Sequence, residues 1–238
     1  MRGLLTLLLP LALWQAVSAL GLLPPFVLPS PLRVAEVLVA ERALLAGHFL
    51  VTFGEVTAGL AIGVTLGAAT AIVMCLSPPA LRLLGPLLVT SQALPVFVLA
   101  PILTIWLGYG PAPKIAMTVL LVFFPVASGL LDGLRGTPAE VLDLARIARA
   151  GRLRELHWLR LPHALPHLGA GLRIAVTYAP TGAVIGEWVG ASKGLGYLML
   201  MANARMRVEL MFAALVLIVL MTLLLNRGTH HLLRRWSM

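Results

Sequence analysis

The sequence predicts an all-α, polytopic membrane protein with six spanning helices. Of its 238 residues, 60% are hydrophobic and only 11% charged, more apolar side chain than a soluble 25.4 kDa domain can bury. The apolar residues fall into runs near 3–23, 49–76, 84–107, 113–131, 168–190 and 209–226, lengths suited to crossing a hydrocarbon core, which takes about 20 helical residues. Basic residues flank these runs instead of forming a water-exposed face, so the net charge of +9 reflects membrane topology and not a nucleic-acid partner.

The first run follows Arg2 and ends near Val17-Ser18-Ala19, which imitates a cleavable signal peptide. Further spans follow it, so it reads as an anchor that stays in the membrane. Leu28-Pro29-Ser30-Pro31 then opens a stretch with Leu32, Val34, Val37, Leu38 and Leu45 at helical spacing and Arg33, Glu36, Glu41 and Arg42 between them. This predicts an external amphipathic helix near the interface. In the second span Gly59, Gly63 and Gly67 recur every four residues and would let another helix approach closely. Pro95, Pro101, Pro125 and Pro180 would kink or break later spans, freeing carbonyls that are tolerated only inside protein or beside a wet cavity; tight bundle packing accounts for any single one equally well. No repeat relates the two halves, which argues against an inverted-repeat carrier.

With the N-terminus cytoplasmic, the inside connections hold twelve cations, including Arg2 and Arg235, and the outside ones hold six: Arg33, Arg42, Lys114, Lys193, Arg205 and Arg207. The expected orientation is N-in and C-in. Cys75 is the only cysteine, so no internal disulfide or cysteine-based zinc site is available. His163-Ala164-Leu165-Pro166-His167 lacks the glutamate of a metalloprotease helix and carries a proline between its histidines, so no metal is expected there.

The charged stretch 134–167 faces the cytoplasm in this topology. Thr137-Pro138-Ala139-Glu140 reads as a capping box with proline at the first helical position, and Val141, Leu142, Ala145, Ala148 and Ala150 supply an apolar side opposite Asp143, Arg146 and Arg149. Gly151 permits a turn, and Leu153, Leu156, Trp158, Leu159 and Leu161 continue to Pro162 and Pro166, which are expected to stop the second helix. Two short helices with apolar faces are costly to leave in water, so a partner groove is expected to receive them.

Asp143-Leu144-Ala145, then Arg149, then Leu159-Arg160-Leu161-Pro162 resembles the EAA loop of importer permeases of the ATP-binding-cassette (ABC) class: Glu-Ala-Ala, three residues, Gly, nine residues, Ile-x-Leu-Pro. The spacing is kept, but Arg149 stands at the glycine position; Gly151 is the expected substitute for the turn. Leu28-Pro29-Ser30-Pro31, Ala93-Leu94-Pro95, Trp106-Leu107-Gly108-Tyr109-Gly110 with Lys114, Gly171-Leu172-Arg173 and Gly194-Leu195-Gly196-Tyr197 extend the resemblance to the nitrate/sulfonate/taurine-type branch. Tyr178 to Ser192 is similar to permeases for thiamine-precursor pyrimidines such as hydroxymethylpyrimidine.

The resemblance implies a type I ABC importer permease fold, with residues 1–238 as one permease domain in a bacterial inner membrane. It further implies a homodimer, a coupling loop at 134–167 docked on ATPase subunits through Asp143, Leu144, Ala145, Arg146, Arg149, Gly151, Leu159, Leu161 and Pro162, and an extracytoplasmic substrate-binding protein. Neither lysine follows a glycine, so no phosphate-binding loop is present and ATP with Mg belongs on the partner subunit. No cofactor is expected on this chain, which is a translocation subunit and not an enzyme. Import of a sulfonate, taurine or nitrate is the alternative within the fold, and an ion-coupled carrier the alternative outside it.

Ionisable groups in spans are expensive, which makes Glu55 and Glu187 candidates for the substrate pathway, with Trp188, Gln92 and Tyr178 behind them. Glu187 beside Trp188 could bind an aminopyrimidine by hydrogen bonds and stacking; solvation at the outer interface or pairing with Lys193 is an equal reading.

Overall fold

The computed structural model describes residues 2–236, with side chains from Leu9 to Arg234. Arg2 and Arg235, two members of the cation count, lie outside the described side chains. The chain is helical almost throughout: α1 (Arg2–Ala19), α2 (Pro31–Ala40), α3 (Arg42–Leu76), α4 (Pro78–Thr90), α5 (Val96–Leu107), α6 (Pro111–Arg135), α7 (Ala139–Ile147), α8 (Arg152–Glu155), α9 (Leu161–Trp188), α10 (Leu195–Ala204) and α11 (Val208–Trp236).

By length and composition, α3, α6, α8 with α9, and α11 can each cross a membrane. The expected span 84–107 is not one helix: α4 and α5 meet at a bend of 104°. Pro95 has no N–H to continue the ladder, and Leu94 before it is extended at φ −76°, ψ 123°. Taken as one broken span, α4 and α5 make the fifth; in the place of the predicted first span, the described stretch Leu9–Ala19 of α1 is apolar but shorter than a span.

α6 is the central helix, with α3 on one side and α9 on the other. The glycine spacing on α3 serves this contact as expected: a Cβ on Gly63 would lie 2.7 Å from Val122 Cγ1. On the opposite side, a Cβ on Gly171 of α9 would run into the carbonyl oxygen of Pro125. Backbones at this separation gain dispersion contacts that larger residues would forbid. Pro101, Pro125 and Pro180 sit inside α5, α6 and α9 without ending them.

α2 begins where the sequence places it, with Ser30 Oγ accepting from Arg33 N–H and Pro31 in the first turn. It is less interfacial than expected, since Val34 is buried and Val37 and Leu38 pack into the main core cluster. The chain breaks at Glu41, so Leu45 belongs to α3.

The expected stop at Pro162 and Pro166 does not occur. α8 runs through a π-turn at Leu156–Arg160 into α9, forming one apolar helix from Arg152 to Trp188. In the π-turn Leu161 N–H bonds to Leu156 O, one residue further back than in an α-helix, which re-registers the ladder just before the proline that cannot donate. The connection between the two long helices therefore covers 136–151, and 161–167 is the first part of α9.

Candidate functional site

Two polar regions stand apart from the apolar bundle. The first is the elbow of α7 and α8. Thr137 is not its N-cap: Thr137 Oγ1 donates to Leu134 O, while Pro138 occupies the cap position with no side-chain bond. α7 is capped at Ala148, after which Arg149 adopts φ +48°. Ala150 N–H bonds to Ala145 O (2.9 Å) and Arg149 N–H to Arg146 O (3.0 Å), the paired bonds of a Schellman cap. Arg149 thus makes the left-handed turn itself, contrary to the expectation for Gly151, which is extended at φ −69°.

The elbow's outer side differs from the polar face the sequence predicts. Asp143 pairs with Arg146 at 2.7 Å, both exposed, but Leu144, Ile147, Leu153 and Trp158 also stand in the open at 65–80% exposure. Leu144, Ala145, Ala148, Trp158 and Leu159 border a groove of about 410 Å³. Leu161 instead packs against the core cluster around Leu130 and Leu156, and Pro162 is exposed. Arg160 fixes the elbow to the bundle, bonding Glu155 (2.6 Å) and the Leu134 carbonyl (2.9 Å) at the end of α6.

The second region lies at the opposite ends of α6 and α9. Glu187 is 1% exposed. Thr52 Oγ1 donates to Glu187 Oε1 (2.6 Å), and the N–H groups of Gly196 (2.5 Å) and Tyr197 (3.4 Å) donate to Oε2. Leu195 N–H donates to Thr52 Oγ1 (2.7 Å) and Gly194 N–H to His48 Nδ1 (3.0 Å). Every amide of the first turn of α10, which no helix can satisfy internally, thus finds an acceptor on α3 or α9. Gly194 is required twice over, by φ +113° and because a Cβ there would overlap the Glu187 carboxyl.

Glu187 is therefore enclosed and committed, neither open to a cavity beside Trp188 nor paired with the exposed Lys193. Trp188 and Tyr178 are about half exposed, and Gln92 lies exposed at the bend between α4 and α5. Glu55 neighbours Glu187, with the Lys114 ammonium attracted to both. Lys114 is 2% exposed and donates to the carbonyls of Gly110 (2.7 Å) and Gly190 (3.4 Å), fastening the start of α6 to the end of α9. Sequence reasoning missed Thr52, His48 and the burial of Lys114; the Gly-Leu-Gly-Tyr motif was visible, but not what its amides bind. Among the described residues no group of three or more metal-ligating side chains occurs.

Residues 59–238 match the family described as binding-protein-dependent transport system inner membrane component. A probable ABC transporter permease protein of Haemophilus influenzae is 49% identical over 95% of this chain and 94% of its own. The formylaminopyrimidine transport permease protein ThiX of Halalkalibacterium halodurans is 37% identical over 79% and 75%, and the riboflavin transport system permease protein RibX of Chloroflexus aurantiacus is 36% identical over 98% and 88%. Relatives named for taurine (Escherichia coli) and aliphatic sulfonates (Bacillus subtilis) match at 30% over 97% and 86%, and 28% over 91% and 79%. A chain of the MetNI methionine ABC transporter, solved in inward-facing conformations, shares the fold with TM-score 0.73 over 83% of this chain and 98% of that one at 18% identity. The chain is a member of the binding-protein-dependent transport family, a membrane-embedded ABC importer permease of the type I fold whose ATP is hydrolysed by a separate subunit.

Proposed function

We propose that the chain imports a nitrogen-heteroaromatic solute of the thiamine-precursor kind, a hydroxymethylpyrimidine-like molecule. The observation that carries this is the order of the relatives: those named for a formylaminopyrimidine and for riboflavin are 37% and 36% identical, above those named for taurine and sulfonates at 30% and 28%. Taurine or sulfonate import is the second reading, supported by the coverage of those same matches, 97% and 91% of the chain.

The elbow within 134–167 is the coupling element. Leu144, Ile147 and Trp158 lose their contact with water in a cleft on the ATPase subunit, each contributing roughly 1.5–3 kcal/mol of burial. Asp143, Arg146 and Arg149 set orientation on the rim, Ala145 and Gly151 shape the turn, and Leu159, Leu161 and Pro162 tie the elbow to α9. Two copies of the chain form the pathway, with N- and C-termini cytoplasmic and the Glu187 end facing the substrate-binding protein. ATP and Mg reside on the ATPase, and this chain binds no cofactor. Closure of the ATPase pair draws the two elbows together and biases the spans outward; hydrolysis resets them, provided that docking differs in free energy between the two states.

The test is copurification of the detergent-solubilised permease with its ATPase, followed by ATP turnover with binding protein and either hydroxymethylpyrimidine or taurine. Stimulation by the pyrimidine supports the first reading; stimulation by taurine alone selects the second.

A further inference from the structure

We infer that Glu55 is a protonated acid whose O–H donates to the Glu187 carboxylate, and that this one proton makes the hold on α10 a pH-sensitive latch. Neither the solute nor the ATPase takes part in it, so it stands apart from the import reading above.

The donors locate the proton. Glu55 and Glu187 are hydrogen-bonded to each other, and two carboxyl groups share such a bond only when one of them carries a proton. Glu187 is not the carrier. Its Oε1 accepts from Thr52 Oγ1 (2.6 Å) and its Oε2 from the N–H groups of Gly196 (2.5 Å) and Tyr197 (3.4 Å), the surroundings of an ionised group that only accepts. Glu55 is 7% exposed, and its buried Oε2 receives no N–H or O–H donor from the protein. A bare carboxylate oxygen there would be costly, whereas a hydroxyl that donates to Glu187 is satisfied. The charges agree. Lys114, 2% exposed, brings one buried positive charge and Glu187 one negative charge, so a neutral Glu55 leaves the three side chains balanced.

The shared proton ties α3 to the carboxylate that holds the first turn of α10. When it passes to water, two carboxylates face each other out of solvent, the bond between them is lost, and their repulsion drives Glu187 off the amides of Gly196 and Tyr197. Those amides belong to the start of α10 and have no acceptor within the helix, so α10 loosens. The latch is therefore closed near neutrality and opens as pH rises. Other titratable groups face this end. Lys114 comes from α6, and His48 of α3 accepts from Gly194 N–H and stacks with Tyr197 of α10. Tyr109 and Lys193 border the same cavity as Glu55.

The experiment uses the full-length permease in detergent, as wild type, Glu55→Gln and Glu187→Gln. Infrared spectra read the carbonyl stretch of protonated carboxylic acids apart from that of carboxylates, and Tm is followed from about pH 7 to about pH 9, above the ordinary histidine range. The expected result is a protonated-carboxyl band in wild type near neutrality that Glu55→Gln lacks. Wild-type Tm should fall by about 3 °C or more as pH rises, and the fall should be absent from Glu55→Gln, whose amide donates the same bond and does not titrate. Because Lys114 and His48 face the same knot, this comparison at each pH assigns the response to Glu55. Glu187→Gln, which sets an amide against donors, should have a lower Tm throughout. A wild-type spectrum without the band, or a band that survives in Glu55→Gln, would overturn the proton; an equal fall in Tm in both chains would overturn the latch. Folding of Glu187→Gln but not Glu55→Gln would overturn both, since donor and acceptor would be reversed. Should neither variant fold, the wild-type band and Tm must decline together as pH rises, and a band that persists unchanged would overturn the inference.

Discussion

At the end of the bundle that holds Glu187, polar groups are buried and paired: a carboxylate at 1% exposure accepts from Thr52, Gly196 and Tyr197, and an ammonium at 2% exposure bridges two loops. At the elbow the pattern inverts. The ion pair of Asp143 and Arg146 lies in the open, and Leu144, Ile147 and Trp158 stand out beside it. Buried, saturated networks give a single arrangement and resist rearrangement, whereas exposed apolar side chains gain only when something covers them. The first region locks helices of this chain to one another; the second is suited to a surface outside the chain.

Substitutions sharpen the contrast. The largest effect is expected at the knot. Gly194→Ala combines a φ of +113° with overlap of the Glu187 carboxyl, and the loss of folded, monodisperse protein in detergent should reflect about 3 kcal/mol or more. Glu187→Ala strips the acceptor from two α10 amides and the Thr52 hydroxyl; a destabilisation of about 3 kcal/mol is expected, read as a lower Tm. A Tm within a degree of wild type would show that α10 does not depend on this carboxylate.

The elbow should respond in binding and not in stability. Trp158→Ala removes a 72% exposed side chain, leaves Tm unchanged, and weakens ATPase association by about 2 kcal/mol, near 30-fold. Undiminished copurification at sub-micromolar concentrations would remove Trp158 from the interface. The smallest effect belongs to Arg149→Gly. Relief of a non-glycine residue at φ +48° should stabilise the chain by about 1 kcal/mol, visible as a slight rise in Tm.

How far the sequence reveals this depends on the kind of interaction. Gly59, Gly63 and Gly67 predict close helix approach because small residues at a four-residue repeat have one obvious use, and the structure gives that contact to α6. The elbow's position and spacing are equally legible. Its details are not. Pro162 stops no helix because the π-turn before it re-registers the ladder, a choice no local pattern announces. Thr137 forgoes its cap for the Leu134 carbonyl, and Arg149 turns without glycine because two backbone bonds close around it. Burial misleads most at Glu187: its acidity within a span marks it as a pathway residue, while its partners at 52, 196 and 197 are set by tertiary packing. Glu55, three residues along α3 from Thr52, becomes distinctive only once packing sets it beside Glu187.

On the reading proposed above, this permease does no work alone and is driven through its elbow by a separate ATPase. Proteoliposomes containing the permease, with binding protein outside and ATP within, test it most directly when prepared with and without the ATPase subunit. Solute accumulation is expected only when the ATPase is present, with a sharp reduction by Trp158→Ala. Accumulation against a gradient by the permease in the absence of the ATPase would contradict it.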